Sequence, residues 1–179
     1  MKTVRALVPC LLVLCVAAPA FGTGPEVQQS VPAANPAIDM EGYLKVAREA
    51  ARYRETRRLT EEDFLRVSRE PGTVVLDARS REKFDQLHVR GAINLSFPDI
   101  AVDSLKKTLP DRSTLILIYC NNNFRGAEGP FPSKLPSASL NLSTFIALYN
   151  YGYRNVWELG PLVDVKTTKL PLEPTAKAR

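Results

Sequence analysis

The sequence is short of the residues that build metal centres and disulfide scaffolds. Among its 179 residues are one histidine and three cysteines. A lone histidine, His88, with so few thiols forms no Cys/His ligand set, and no metal or cofactor is implied. Lysine and arginine never run together in a block. The formal charge is only +5, and no basic stripe tracks a phosphate backbone, which argues against nucleic acid as a partner. Internal repeats are absent. No apolar run is long enough for a comfortable membrane span. The rest is 45% hydrophobic and 24% charged, the balance of an ordinary globular chain long enough for one domain with a real core.

The N-terminus stands apart. Met1 to Arg5 carries two positive charges and no negative one, Ala6 to Ala18 is almost wholly apolar, and Ala18-Pro19-Ala20 is small where a signal peptidase reads. Residues 1–20 are therefore expected to be a cleaved signal peptide, and the protein to be exported, in a periplasm-like compartment. Leu14 before Cys15 is too large for a lipid-attachment site. Removal takes away Lys2, Arg5, Cys10 and Cys15, so the charge falls from +5 to +3 and one thiol, Cys120, is left. A single cysteine in an oxidising compartment makes no internal disulfide. It is buried and inert, or an intermolecular partner, or reactive.

Residues 21–38 hold Pro, Gly, Gln, Ser and Asn and read as a disordered linker. Residues 39–58 read as an N-terminal helical extension, with Asp39 as N-cap and a weak apolar stripe that packs on the domain or binds a partner. Thr60-Glu61-Glu62-Asp63 is a capping-box pattern opening a short helix. Thr73 to Asp77 is a continuous apolar run of the kind that buried parallel strands show. Ser80 caps another short helix; Gly91 to Leu95 is a second strand; Pro98 to Leu109 is expected to be one helix. Thr114 to Tyr119 is the most apolar strand. Residues 121–138 are a loop, Ser139 to Tyr151 a helix stopped by Gly152, and Asn155 to Leu159 a fourth strand. Beyond residue 163 the chain turns polar and reads as a C-terminal tail, 164–179. Strands alternating with helices imply a parallel sheet with helices on both faces, and ligands then sit at the carboxyl ends of the strands, where Asp77 and Cys120 fall.

Residues 59–163 resemble the rhodanese (sulfurtransferase) superfamily. The resemblance rests on Val75-Leu76-Asp77-Ala78-Arg79, Glu82-Lys83-Phe84, His88 to Leu95 (HVRGAINL), the strand ending in Cys120, and Gly152 to Leu159 (GYRNVWEL), in the family's order. It implies a single-domain three-layer α/β/α fold with a central parallel sheet. It implies Cys120 as the nucleophile that carries sulfur as a persulfide, with Asp77, Arg79 and His88 supporting the site. The chemistry agrees: a thiolate is the attacking species, favoured by loop amides and a following helix N-terminus. Asn121, Asn122 and Asn123 suit such a loop because Asn tolerates left-handed backbone, and their amides are candidate oxyanion donors. Phe124, Arg125 and Lys134 complete the candidate substrate-binding loop, the two cations facing a small sulfur-containing anion.

The loop departs from the family's short one. Eighteen residues, 121–138, separate Cys120 from the helix start, and Gly126 to Lys134 has no place in the usual cradle. Two glycines and three prolines suggest a shaped excursion, and loops this long are usually functional or disordered. The expected function is an exported sulfurtransferase or persulfide carrier that passes sulfur from Cys120 to a thiol or other acceptor. A non-catalytic binding module, with a protein partner at the extended loop or N-terminal helix, stays open. So does a thiol-redox protein working through a mixed disulfide. A phosphatase or arsenate reductase needs Cys-x5-Arg to place its guanidinium; Cys120 and Arg125 are one residue short of that.

Overall fold

Short apolar runs ending in polar residues set the strand lengths, and capping side chains set the helix starts. A computed structural model describes residue 33 and residues 35–176. The chain divides into two units, Met1–Ala37 and Ile38–Arg179. The expected signal peptide 1–20 and most of the linker 21–38 lie outside the described residues, and the helices and strands described belong to the second unit. Among the described residues, no helix is long and apolar enough to cross a membrane.

The helices start where the sequence places their caps. In α1 (Met40–Arg54) the Asp39 carboxylate accepts from Gly42 N–H, in α2 (Glu61–Val67) Thr60 accepts from Asp63 N–H, and in α3 (Arg81–Gln86) Ser80 accepts from Lys83 N–H. The α5 helix (Leu140–Asn150) ends on Gly152, at φ 92°. The N–H groups of Gly152 and Tyr153 donate back to Tyr149 and Leu148 carbonyls at 3.0 Å each, which closes the helix end. One expectation is corrected. Pro98 to Leu109 is not one helix: a 3-10 turn, Phe97–Asp99, precedes α4 (Val102–Thr108). The Ser104 hydroxyl accepts from Ala101 N–H at 2.9 Å and donates to Asp99 O at 2.6 Å, holding the chain extended between them.

The central sheet is all parallel, in the order β1 (Arg58–Leu59), β7 (Val156–Leu159), β5 (Ile116–Tyr119), β2 (Val74–Asp77), β4 (Ile93–Asn94). Side chains alternate across it. Ile116, Ile118, Leu76 and Val156 enter one core with Ala50 of α1, Leu105 of α4 and Phe145 and Leu148 of α5. Leu117, Tyr119, Val75 and Leu159 enter a second core with Phe64 of α2. The three-layer α/β/α reading therefore holds, and α1 is part of it: Tyr53 packs against Tyr149 of α5, ring centroids 5.5 Å apart.

The reading of residues 164–179 as a tail is corrected for those described. The strand β8 (Val163–Asp164) pairs in parallel with β6 (Phe124–Arg125) inside the long loop, and β9 (Leu172–Glu173) pairs antiparallel with β3 (His88–Val89). Leu170 is buried in the second core. Polar residues surround these short pairings, so composition hides them. Leu170→Ala should lower the unfolding free energy by about 2–4 kcal/mol in urea denaturation; a dangling tail would show no change.

Candidate functional site

Cys120 follows the last residue of β5 in extended conformation and continues its alternation, on the side of Ile116 and Ile118. That side is covered by α5. The Cys120 Sγ lies 3.3 Å from the Oγ of Ser139, the N-cap of α5. Ser139 makes no side-chain bond to its own helix. Its hydroxyl is free to donate to a thiolate, and the uncapped first turn adds the positive end of the helix dipole. These are the conditions under which a cysteine becomes a nucleophile. The sulfur is covered as well: Cys120 is 1% exposed.

The loop 121–138 follows the cysteine, and the structure shows what its asparagines do. Asn121 donates to Pro132 O, and Asn122 both donates to Lys134 O at 2.9 Å and accepts from Lys134 N–H at 3.2 Å. Asn123 donates to Leu159 O at 2.8 Å and Pro161 O at 3.2 Å; its Oδ1 accepts from Cys120 N–H at 2.9 Å and Asn141 Nδ2 at 3.0 Å. The side-chain amides are thus engaged by backbone carbonyls rather than presented to an oxyanion. No asparagine has positive φ; that conformation falls to Gly126 in this loop. The residues suit the loop as brackets between distant strands, not as left-handed turn formers.

Phe124 is buried and stacks on Phe131, centroids 4.4 Å apart, so it roots the loop in the second core instead of lining a substrate. The structure does not bring Arg125 and Lys134 together. Arg125 pairs with Asp164 at 3.5 Å. Lys134 lines a cleft of about 360 Å³ with Asn121, Pro132, Lys83 and Ser96. Two lysines in one cleft suit a small anion, and Asn121, which also lines it, follows the cysteine in the chain.

Asp77, Arg79 and His88 brace this side. The Arg79 Nε and Nη2 bond both Asp77 oxygens, at 3.0 to 2.6 Å, and the pair is buried. Arg79 also donates to Pro130 O and Leu87 O at 2.7 Å each, and its guanidinium lies 4.2 Å from the Phe131 ring centre. Tyr119 OH donates to Asp77 at 2.6 Å; burial, and then the Asp77 charge, push its hydroxyl well above the usual range, so it stays a donor. His88 stacks on Phe84 and bonds Phe84 O through Nδ1 at 2.8 Å. Among the described residues no group of His, Cys, Asp and Glu is placed to hold a metal.

Sequence reasoning missed Ser139, Asn141 and Glu158. From the sequence Ser139 reads only as a helix start. Glu158 offered a signal: an acid inside an apolar strand. It is buried, bonded to Arg54 Nε at 3.0 Å and close to Arg58 Nε at 3.3 Å. Burial raises its carboxyl above the usual range, against the pull of the two arginines.

A parallel α/β sheet that presents a thiol at a strand end, against a helix N-terminus, defines a cysteine-loop protein of the α/β class. The model of the rhodanese-like domain matches residues 60–159, more than half of the chain. The chain belongs to the rhodanese-like domain family. Solved structures similar to it include a rhodanese with anions from E. coli, 23% identical, covering 57% of this chain and 98% of that one with TM-score 0.39. Another is the rhodanese-like domain of an Anabaena protein, 22% identical, covering 69% and 83% with TM-score 0.48. A third is a thiosulfate sulfurtransferase from Pseudomonas aeruginosa, 24% identical, covering 66% and 20% with TM-score 0.44. No curated protein matches the chain.

Asp77→Ala leaves the Arg79 charge buried without its partner, and should cost about 3–5 kcal/mol of stability. Urea denaturation checks this; a loss near zero would mean that the pair does not organise the loop.

Proposed function

We propose that this protein is an exported sulfur carrier of the rhodanese-like family, with Cys120 as the nucleophile. The observation that carries the reading is the Cys120 sulfur at the α5 N-terminus, 3.3 Å from an uncommitted serine hydroxyl. The basic and apolar N-terminus supports export.

The cycle balances with the residues at hand. A sulfane-sulfur anion such as thiosulfate enters the cleft lined by Lys83 and Lys134. The Cys120 thiolate attacks the outer sulfur, the donor S–S bond breaks, and sulfite leaves with the bond's electron pair. The new Cys–S–S⁻ keeps one negative charge, and the α5 dipole and Ser139 Oγ–H face it. An acceptor thiolate then attacks the outer sulfur, and the electron pair returns to Cys120. Because Cys120 is 1% exposed, the loop 121–138 opens before either step.

A second reading rests on the same burial. A non-catalytic binding module keeps its thiol covered and offers the loop to a partner, and Leu135 on that loop is 74% exposed. One measurement separates the two. Incubated with thiosulfate or polysulfide, the mature protein should gain the mass of one sulfur atom, and Cys120→Ser should not. No adduct on the wild type, or an equal adduct on the variant, would leave the binding module.

A further inference from the structure

A second cleft is lined by Ser139, whose hydroxyl lies 3.3 Å from the cysteine sulfur. It measures about 290 Å³ and is lined by Arg54, Ser139, Asn141 and Glu158. We propose that it is the subsite for the sulfur acceptor, a small thiol that carries a carboxylate, with Arg54 of the N-terminal helix recognising that carboxylate. The proposal rests on the reading of Cys120 as a sulfur carrier.

Its donors outnumber its acceptors. Arg54 bonds Glu158 through Nε and Nη2, while its Nη1 has no partner among the described residues. The Arg54 side chain remains 27% exposed. Arg58 closes on the same carboxylate, so two guanidinium charges meet one acid and a positive charge is left over. The N–H groups of Leu140 and Asn141 open α5 without a partner inside the helix, the Ser139 side chain does not cap them, and Leu142 N–H is held by Ser139 O at 3.1 Å. Together they make a place for a carboxylate. Glu158 fixes the plane of the Arg54 fork, which lowers the cost of ordering it on binding.

The independent sign of a ligand is Asn141. It is 5% exposed, its Nδ2 is held by Asn123 Oδ1, and its Oδ1 has no partner. The amide cannot turn over without setting two oxygens face to face. A buried acceptor without a donor is costly, and the S–H of an incoming thiol is a donor of the right kind. Ser139 belongs to both places: it lines the cleft and lies 3.3 Å from Sγ. A thiol seated there gives its proton to solvent, and its thiolate attacks the outer persulfide sulfur. The bond from that sulfur to Sγ breaks, and Cys120 regains the electron pair.

The test follows the amide NMR signals of residues 139–142 during titration with mercaptopropionate, its methyl ester and thiosulfate. Mercaptopropionate should bind at least about tenfold more tightly than the ester, the scale of one charge-assisted hydrogen bond. Arg54→Gln alone strands a buried acid, so the variant is Arg54→Gln with Glu158→Gln, which swaps the pair for two amides. In it the ratio should fall to about one. Equal binding of acid and ester in the wild type overturns the proposal. So does a preference that survives in the double variant, or thiosulfate shifting these signals in place of mercaptopropionate. The preference should persist in Cys120→Ser. Failure of persulfide loading would then remove the sulfur-carrier reading alone, and loss of the preference would remove the subsite alone.

Discussion

A carboxylate and a guanidinium taken out of water together are costly, and breaking such a pair costs more than forming it returns. Asp77 and Arg79 are in that position, and the ends of β2 and β5 and part of the long loop are arranged around them. Asp77 ends β2 and takes the Tyr119 hydroxyl from the end of β5, which aligns the two strands that frame the site. Arg79 spends its remaining donors on Leu87 and Pro130, and lies against Phe131. A charge that must be satisfied thus fixes a strand end, a family turn and the tip of the long loop at once.

The loop is therefore not slack. Phe124 and Phe131 root it in the second core, β8 pairs with it through β6, and three asparagine amides tie it to β7 and to itself. Such a loop opens as a unit or not at all. The consequence for chemistry is a buried thiol with two clefts lined by its neighbours Asn121 and Ser139. One is framed by lysines, the other by an arginine from α1. Arg54 of the N-terminal helix and Asn122 and Asn123 of the long loop line the same cleft.

Much of the fold was legible because its signals are local. The Thr60 and Ser80 caps, the apolar run into Tyr119 and the stop at Gly152 each lie within a few residues of what they determine. Asp77 and Arg79 read as supporting residues two positions apart, and the structure joins them as a buried pair. What was not legible depends on remote partners. The asparagines bond backbone carbonyls at Pro132, Lys134, Leu159 and Pro161, which carry no side-chain signature. Arg54 reaches the cleft by a contact a hundred residues away in sequence. The strands after residue 162 are two residues each, too short for alternation to register.

The central claim is that the packed loop controls access to Cys120. Native-state alkylation by iodoacetamide measures it directly, comparing the wild type with Phe131→Ala while circular dichroism checks that both are folded. Losing a buried phenylalanine removes more than the ~1.4 kcal/mol that one decade of opening requires. The account predicts slow labelling of the wild type and at least about tenfold faster labelling of the variant. Equal rates in two folded proteins would mean that the loop does not gate the thiol.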